Sequence, residues 1–438
     1  MSDDDRRASD ARATVTPDGG PAVRRLADWS AARLQDLADE FGTPLYVFDP
    51  QRVRENCRRL RDAFRDAEIQ YAAKAHTARE TLQTVHEEGF AVECASAGEV
   101  RRALDAGVPG AAVTYTAVNP PARDLDAVLA AWEAEPDLTF TVGAADTLDR
   151  LDARGFDGRL RLRINPGVGA GHHEKVTTGG HPKFGVGLDR APELAASAAD
   201  RFDFAGIHAH AGSGITGDQL DDHRELVRRM GDLARTLENR GVSVETVDVG
   251  GGFGVPYREE APPLPLDAVA EATRDALGET DATLAIEPGR YVVADAGVLL
   301  TRVNTVKDTP EAVVAGVDAG MTTLLRPALY DAYHAVRNLV PGSNTRNTVG
   351  VTIAGPVCET ADLLCENRPL PRPEREDLLA VGNAGAYGYE MASTYNSRPR
   401  PAEVTRDGDL LRRRETLSDV TRLEAANEFP TRSTEDGQ

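Results

Sequence analysis

Short apolar runs alternate with amphipathic segments along the first two thirds of the chain. Between Arg52 and Ala67, apolar side chains recur every three or four residues, which predicts a helix with one buried face. Eight short apolar runs follow and predict strands: Ile69–Ala73, Phe90–Cys94, Ala112–Thr116, Leu138–Val142, Leu160–Ile164, Phe204–His208, Glu245–Val249 and Thr283–Ile286. Helical patterns fill the intervals between them. Eight strand–helix alternations favour a closed parallel (β/α)8 TIM barrel over an open doubly wound sheet.

The pattern changes downstream of Asp295, where strand-like runs are separated by turn residues: Val298–Val303, Ala312–Val317, Asn347–Ile353 and Asp377–Ala380. An early strand, Pro44–Phe48, precedes the first barrel helix and is expected to pair with this region. The sequence therefore predicts an α/β protein with a barrel over 51–294 and a second, discontinuous β-rich domain made from 26–50 and 295–426. The polar ends, 1–25 and 427–438, are expected to be a disordered arm and tail.

The charge balance narrows the classes of partner. The chain has 438 residues, with 71 acidic and 50 basic side chains and a formal net charge of −21. Such a surface repels nucleic acid and anionic membranes, so neither is an expected partner. Only four of the basic residues are lysines, Lys74, Lys175, Lys183 and Lys307. An acidic excess with so little lysine resembles proteins of salt-adapted organisms, and it makes each remaining lysine a candidate for a specific role.

The four cysteines, Cys57, Cys94, Cys358 and Cys365, are too sparse for a disulfide framework. No run of 18 apolar residues is present, and the polar N-terminus has no signal-like apolar core. We therefore expect a soluble, cytoplasmic protein.

Polar residues follow the predicted barrel strands at the points where catalytic residues of such barrels lie. They are Lys74, Ser96, His210, the glycine run Gly250–Gly252, and Glu287 with Arg290. Lys74 could be an amine with a depressed pKa that forms a Schiff base, or it could be an ordinary surface lysine. Its place at the barrel mouth and the scarcity of lysine favour the reactive interpretation.

The glycine run after the seventh strand could let backbone N–H groups approach a phosphate, although a plain turn is the alternative. It has neither the spacing of a dinucleotide fingerprint nor the ending of a P-loop. After the eighth strand, Glu287 and Arg290 could be a local ion pair. Alternatively, the carboxylate could keep a pyridine nitrogen protonated and so make the ring an electron sink.

Two further motifs leave alternatives open. His208 and His210 lie on one face of a strand, so the two rings could bind a metal together. Alternatively, they could be core or rim histidines with satisfied hydrogen bonds, or a ring could stack on a flat cofactor. A metal would need more ligands, and the only obvious spares are His172, His173 and His334. Cys358, beside Glu359, is either a buried structural cysteine or a proton donor.

With these motifs in this order, the chain from Pro44 to Glu403 resembles the fold-type III pyridoxal-phosphate-dependent decarboxylases, which combine an alanine racemase-like barrel with a β domain. The resemblance implies that Lys74 carries pyridoxal 5′-phosphate as a Schiff base, that His210 stacks on its ring and that Glu287 meets the ring nitrogen. It also implies that the site contains no metal. A further set of residues is implied to hold the cofactor's phosphate or to touch the cofactor. These residues are Ser213, Gly251, Gly252, Gly289, Arg290 and Tyr387.

Within that family the chain is most similar to the branch that acts on meso-2,6-diaminopimelate. The resemblance implies decarboxylation to L-lysine and CO2, the last step of lysine biosynthesis. Cys358 would be the proton donor, acting with Glu359 across the interface of a homodimer. The implied substrate-binding residues are Arg290, Arg326, Tyr330, Glu359 and Tyr387. An arginine such as Arg326 suits the second carboxylate of this substrate.

Three alternatives remain. The first is another enzyme of the same fold, a decarboxylase of ornithine, arginine or carboxynorspermidine, or a racemase. The second is a metal-dependent barrel hydrolase that uses His208 and His210. The third is a carrier that binds pyridoxal phosphate without catalysis.

Overall fold

The structure, a computed structural model, describes residues 22–169, 181–214 and 220–424. Nearly all of the predicted arm and tail, and the spare histidines His172 and His173, lie outside the described residues. No helix within the described part of the chain is both long and apolar enough to cross a membrane.

The barrel strands are preceded by helix α1 (Ala31–Phe41), strand β1 (Leu45–Phe48) and helix α2 (Pro50–Ala63). The side chain of Asp49 accepts a hydrogen bond from the backbone N–H of Gln51, and Pro50 occupies the first helical turn, so α2 begins sharply. The apolar stripe predicted for this helix is buried in the core of the barrel domain: Val53, Cys57, Leu60 and Phe64.

Eight parallel strands close into a barrel. They are β2 (Glu68–Ala72), β3 (Ala91–Cys94), β4 (Val113–Ala117), β5 (Thr139–Val142), β6 (Arg159–Asn165), β8 (Asp203–His208), β9 (Thr246–Asp248) and β10 (Thr283–Ile286), with a short β7 (Val186–Gly187) beside β6. The neighbour order is β5-β4-β3-β2-β10-β9-β8-β6, and β5 also pairs with β6 to complete the circle. The predicted TIM barrel is therefore confirmed.

Helices surround this barrel: α3 (Arg79–Glu87), α4 (Ala97–Asp105), α5 (Ala122–Ala134), α6 (Ala145–Asp152), α7 (Ala191–Ala199), α8 (Leu220–Asn239), α9 (Leu266–Leu277) and α10 (Arg290–Val293). In α8, buried side chains recur at helical spacing, including Leu226, Met230, Leu233 and Leu237. The long solvent-facing side carries Arg–acid pairs such as Arg228 with Asp232. The hydrophobic effect thus fixes which face of each helix meets the barrel.

A second sheet contains β11 (Gly297–Asp308), β12 (Val313–Val317), β13 (Val336–Asn338), β14 (Thr348–Ala354), β15 (Leu363–Pro371), β16 (Leu378–Val381), β17 (Ala402–Thr405) and β18 (Leu410–Arg412). Short helices α11 (Arg326–Tyr330) and α12 (Leu417–Thr421) accompany it. Strand β1 lies between β11, which it pairs with antiparallel, and β17, which it pairs with in parallel. The predicted discontinuous β-rich domain is therefore confirmed.

The second sheet is tied to the rim of the barrel beside Lys74. The backbone N–H of Tyr387 donates to the carbonyl oxygen of Ala75 at 2.9 Å. His76 and Glu403 form a buried hydrogen bond of 2.7 Å between the two domains. These contacts place the segment that contains Tyr387 over the carboxyl ends of the barrel strands.

Candidate active site

A cavity of about 340 Å³ lies at the barrel mouth, under the second domain. Among the residues that line it are ten of those named from the sequence: Lys74, His210, Ser213, Gly252, Glu287, Gly289, Arg290, Arg326, Tyr330 and Tyr387. They come from four barrel loops and from two segments of the second domain. The structure thus brings most of the predicted site together in one place.

Lys74 lies in a short turn that follows β2, and its side chain is half-buried. Its Nζ is 3.2 Å from Oε2 of Glu93, which is buried at the end of β3. Burial lowers the pKa of the Lys74 amine, but nearby acidic groups, above all the Glu93 carboxylate, outweigh it and raise the pKa above its usual value. The expectation of a depressed pKa is therefore wrong for this arrangement, because Glu93 holds the amine as a cation. Glu93 was not among the predicted site residues, because it lies inside its strand and not after it.

Glu287 is buried directly after β10, and its Oε2 is 3.2 Å from Nε2 of His208. Its Oε1 has no hydrogen-bond partner among the described residues. Burial, and next the negative charge of Glu93, raise the pKa of Glu287. A buried, unsatisfied oxygen is costly, so this carboxyl group is suited to a ligand that offers a hydrogen bond.

The two histidines of the His-x-His motif do not act as a pair. His208 contacts Glu287, and burial lowers the pKa of His208 to about 3, so its ring is neutral at pH 7. Nδ1 of His210 instead accepts a hydrogen bond from the backbone N–H of Gly212 at 3.0 Å, and the ring of His210 lines the cavity. His208, Asp248 and Glu287 lie within metal-ligating distance of one another. Arg161, whose NH1 lies 3.6 Å from Asp248, already supplies positive charge to that group.

The glycine run forms a tight loop against the segment after β10. Gly250 has a φ of +72°. A Cβ atom on Gly251 would lie 1.9 Å from the carbonyl oxygen of Glu287, so no side chain fits there. Gly252 and Gly289 border the cavity, and NH2 of Arg290 donates to Ser213 Oγ at 3.0 Å. Closely approaching backbone beside a guanidinium and a hydroxyl group suits a phosphate. Together with the unsatisfied Glu287 oxygen, this donor set fits pyridoxal 5′-phosphate.

Arg326 is buried where α11 meets the cavity. Its NH1 donates to Nε2 of His334 at 2.9 Å, while Nδ1 of His334 donates to the carbonyl oxygen of Gly382. Arg290 and Arg326 also share a neighbour that was not predicted, Tyr257, whose hydroxyl group hydrogen-bonds Arg290 and whose ring faces both guanidinium groups. Two guanidinium groups therefore face one cavity that also holds a lysine.

Cys358 and Glu359 do not join this group within the chain. Both are exposed in the turn before β15, so the alternative of a buried structural Cys358 is wrong. Cys358 Sγ is 3.4 Å from Oδ1 of Asn396, and the hydroxyl group of Tyr395 donates to Glu359. Neither residue is among those that line the cavity in the described part of the chain.

Comparison with known proteins agrees with this geometry. The family description "Pyridoxal-dependent decarboxylase, pyridoxal binding domain" matches residues 50–294, more than half of the chain. Diaminopimelate decarboxylase of Methanothermobacter thermautotrophicus is 43% identical over 411 residues, which are 88% of this chain and 92% of that protein. The corresponding protein of Aquifex aeolicus is 36% identical over 87% and 91%.

Solved structures give the same result. The crystal structure of Helicobacter pylori diaminopimelate decarboxylase complexed with L-lysine matches with a TM-score of 0.83 at 32% identity, over 89% of this chain and 99% of that one. A lysine/ornithine decarboxylase from Vibrio vulnificus, at 22% identity and a TM-score of 0.75, shares the fold. The barrel rim, the glycine-lined loop and these matches lead to one conclusion: the chain belongs to the diaminopimelate decarboxylase family of pyridoxal 5′-phosphate-dependent carboxy-lyases.

Proposed function

We propose that this enzyme decarboxylates meso-2,6-diaminopimelate to L-lysine and CO2, the last step of lysine biosynthesis. The observation that carries the proposal is the presence of Arg290 and Arg326 in the cavity that holds Lys74 and Glu287. The substrate has two carboxylates, and the one that is retained needs a cationic partner. Guanidinium groups match a carboxylate in charge and in bidentate geometry.

Lys74, His210, Glu287 and Tyr387 would hold the cofactor's ring, and the phosphate would lie against Ser213, Gly251, Gly252 and the backbone of Gly289 and Arg290. When bound, pyridoxal 5′-phosphate supplies an electron sink for the pair of electrons left by departing CO2. Lys74 would hold the cofactor covalently through Nζ. His210, whose pKa is lowered first by burial and next by the charge of Lys74, is neutral and can stack on a flat ring.

The carboxyl group of Glu287 would keep a proton at the ring nitrogen. His208 holds Oε2 of Glu287, which leaves the unsatisfied Oε1 for this contact. Large apolar side-chain surfaces also border the cavity, from Phe184, Met391 and the ring of Tyr387. The backbone of Tyr387 is in the left-handed region, with a φ of +55°. These apolar surfaces would exclude water from the reacting carbon and so strengthen the electrostatic interactions inside.

We further propose a homodimer in which Cys358 of one protomer protonates the reacting carbon in its partner's cavity, and in which Glu359 contacts the substrate's ammonium group. The exposure of both side chains, away from the cavity of their own chain, supports this arrangement. All four cysteines are free, which suits a reducing compartment. We therefore place the enzyme in the cytoplasm, and cell fractionation would test this placement.

Substrate profiling tests the proposed reaction. We expect the cofactor-loaded protein to release CO2 and form L-lysine from meso-diaminopimelate, with a much higher kcat/KM than for L-ornithine or L-arginine, which lack a distal carboxylate. The variant Arg326→Met keeps the bulk of the side chain and removes its charge. It should therefore selectively reduce the rate with meso-diaminopimelate. Preference of the wild-type protein for ornithine or arginine would contradict the proposal and favour the alternative enzymes of the same fold.

We also propose that the enzyme is adapted to high salt. The net charge of −21 creates a field that repels both the cofactor's phosphate and a dicarboxylate substrate. At 1 M salt, that repulsion is screened beyond about 3 Å. Activity should therefore rise from dilute buffer to molar KCl, whereas sucrose of equal osmolarity should have no such effect. Highest activity in dilute buffer would remove the basis for salt adaptation.

A further inference from the structure

Tyr257 lies between the two arginines of the cavity. Its hydroxyl oxygen accepts a hydrogen bond of 2.6 Å from NH1 of Arg290. The guanidinium carbon of Arg326 lies 4.9 Å from the centre of the tyrosine ring, and that of Arg290 lies 5.9 Å from it. One side chain thus contacts both cations through its oxygen and its ring.

Two buried guanidinium groups side by side repel each other. Burial lowers the pKa of Arg326, and the neighbouring charge of Arg290 lowers it further, whereas Tyr257 acts in the opposite direction. Conversely, although burial raises the pKa of Tyr257, the two arginines outweigh it and hold that pKa below its usual value. The phenolic oxygen therefore serves as an electron-rich acceptor that offsets the repulsion between the cations.

Other contacts fix the outer sides of the pair. His334 stands edge-on to the Tyr257 ring, with ring centres 5.3 Å apart, and accepts the hydrogen bond from Arg326. Burial lowers the pKa of His334 to about 3, so this ring adds no positive charge. On the far side of Arg290, NH2 donates to Ser213. Each guanidinium group has five N–H donors, so these contacts leave donors for a carboxylate.

Tyr257 also belongs to the loop that contains the glycine run. The side-chain amide of Asn383, from the second domain, donates to the carbonyl oxygen of Pro256 at 3.0 Å and fixes this part of the loop. The same loop therefore places the glycines beside the cofactor's phosphate position and the tyrosine between the substrate arginines.

We propose that Tyr257 is a positioning residue that holds Arg290 and Arg326 together as a single binding site for the substrate's distal carboxylate. The inference rests on the proposed function for the identity of the substrate. It assigns to Tyr257 a share in the selection of dicarboxylates over diamines. Because that carboxylate is bound equally in the ground state and in the transition state, Tyr257 acts on substrate binding and not on the chemical step.

The test is Tyr257→Phe, which keeps both ring contacts and removes only the hydroxyl group. Pimelate, a seven-carbon dicarboxylate without amino groups, is titrated calorimetrically into the cofactor-loaded protein. We expect its dissociation constant to rise about tenfold, because the hydrogen bond to the charged Arg290 that fixes the pair is lost. KM for meso-diaminopimelate should rise by a similar factor, with kcat and the cofactor's absorbance spectrum nearly unchanged.

The control is Tyr333→Phe, since Tyr333 is also flanked by two guanidinium groups, those of Arg258 and Arg368, but outside this cavity. This variant should bind pimelate as the wild-type protein does. Wild-type affinity in Tyr257→Phe, or no pimelate binding by the wild-type protein, would overturn the inference. A variant that loses its cofactor or fails to fold would also count against it, because the hydroxyl group would then have a structural role. If the wild-type protein binds pimelate but does not decarboxylate meso-diaminopimelate, the proposed function fails while the pimelate comparison still decides the role of Tyr257.

Discussion

Lys74→Ala is expected to abolish decarboxylation and to remove the visible absorbance of the bound cofactor. Lys74 is the only lysine that borders the cavity within the described residues, so no other amine there can replace it. Loss of a group that binds covalently typically removes most of the catalytic rate, and we expect a decrease of roughly 10³-fold or more. An absorbance spectrum of the purified protein with added pyridoxal 5′-phosphate, followed by an assay for CO2, measures both effects.

The matched control is Lys307→Ala, in an exposed part of β11 away from the cavity. This variant should keep the absorbance band and the activity. Borohydride reduction followed by peptide mass spectrometry should place the cofactor on Lys74 in the wild-type protein and in the Lys307 variant. A persistent band with residual activity in Lys74→Ala would show that the covalent attachment has been assigned to the wrong residue.

Mixing the Lys74→Ala and Cys358→Ser variants is expected to restore activity if Cys358 acts across a dimer interface. Cys358→Ser should lower kcat by about 10²-fold, the usual effect of losing a general acid. In a mixed dimer with Lys74→Ala, one cavity would receive Lys74 from one protomer and Cys358 from the other, and so would be intact. With random exchange of protomers, about a quarter of the wild-type activity should return.

Dialysis of the two variants together from mild denaturant, followed by the decarboxylation assay, measures this recovery. Each variant refolded alone provides the baseline. A mixture of Lys74→Ala with the double variant Lys74→Ala/Cys358→Ser is the control, because no mixed dimer in it has an intact cavity. Full activity in a monomer, or no recovery in a mixture shown to contain mixed dimers, would contradict the shared site.

The barrel could be predicted from the sequence because eight short, strand-like runs alternate with helical patterns, although charged residues interrupt some of these runs, as in β6. The second sheet could be predicted only in part. Strand β15 was missed because Pro369 and Pro371 interrupt its pattern, and Asn367 has a positive φ of 40°. Strand β17 was missed because it contains Glu403, a charged residue that is buried only because it contacts His76 and Arg412 from other elements.

The residues of the candidate site also divide into those that could be predicted from the sequence and those that could not. Lys74, His210 and Glu287 could be named from the sequence because each follows a barrel strand, and that position alone places it at the mouth. Tyr257 has no such signal, since it lies well past its strand and its role depends on two arginines distant in sequence. Glu93 also lacks this signal, because it lies inside β3 and not after it. The roles given to Lys74, His210 and Glu287 remain predictions from the family resemblance.

The central place of β1 in the second sheet has a consequence for synthesis on the ribosome. This apolar strand emerges early, but the strands on either side of it, β11 and β17, are made much later. Its nearer partner begins about 250 residues downstream, which corresponds to roughly 10–50 s of translation. During that time, Leu45–Phe48 is an unpaired, aggregation-prone edge. The nascent chain therefore needs protection, by a chaperone or by the folding barrel beside it, until nearly the whole protein has been made.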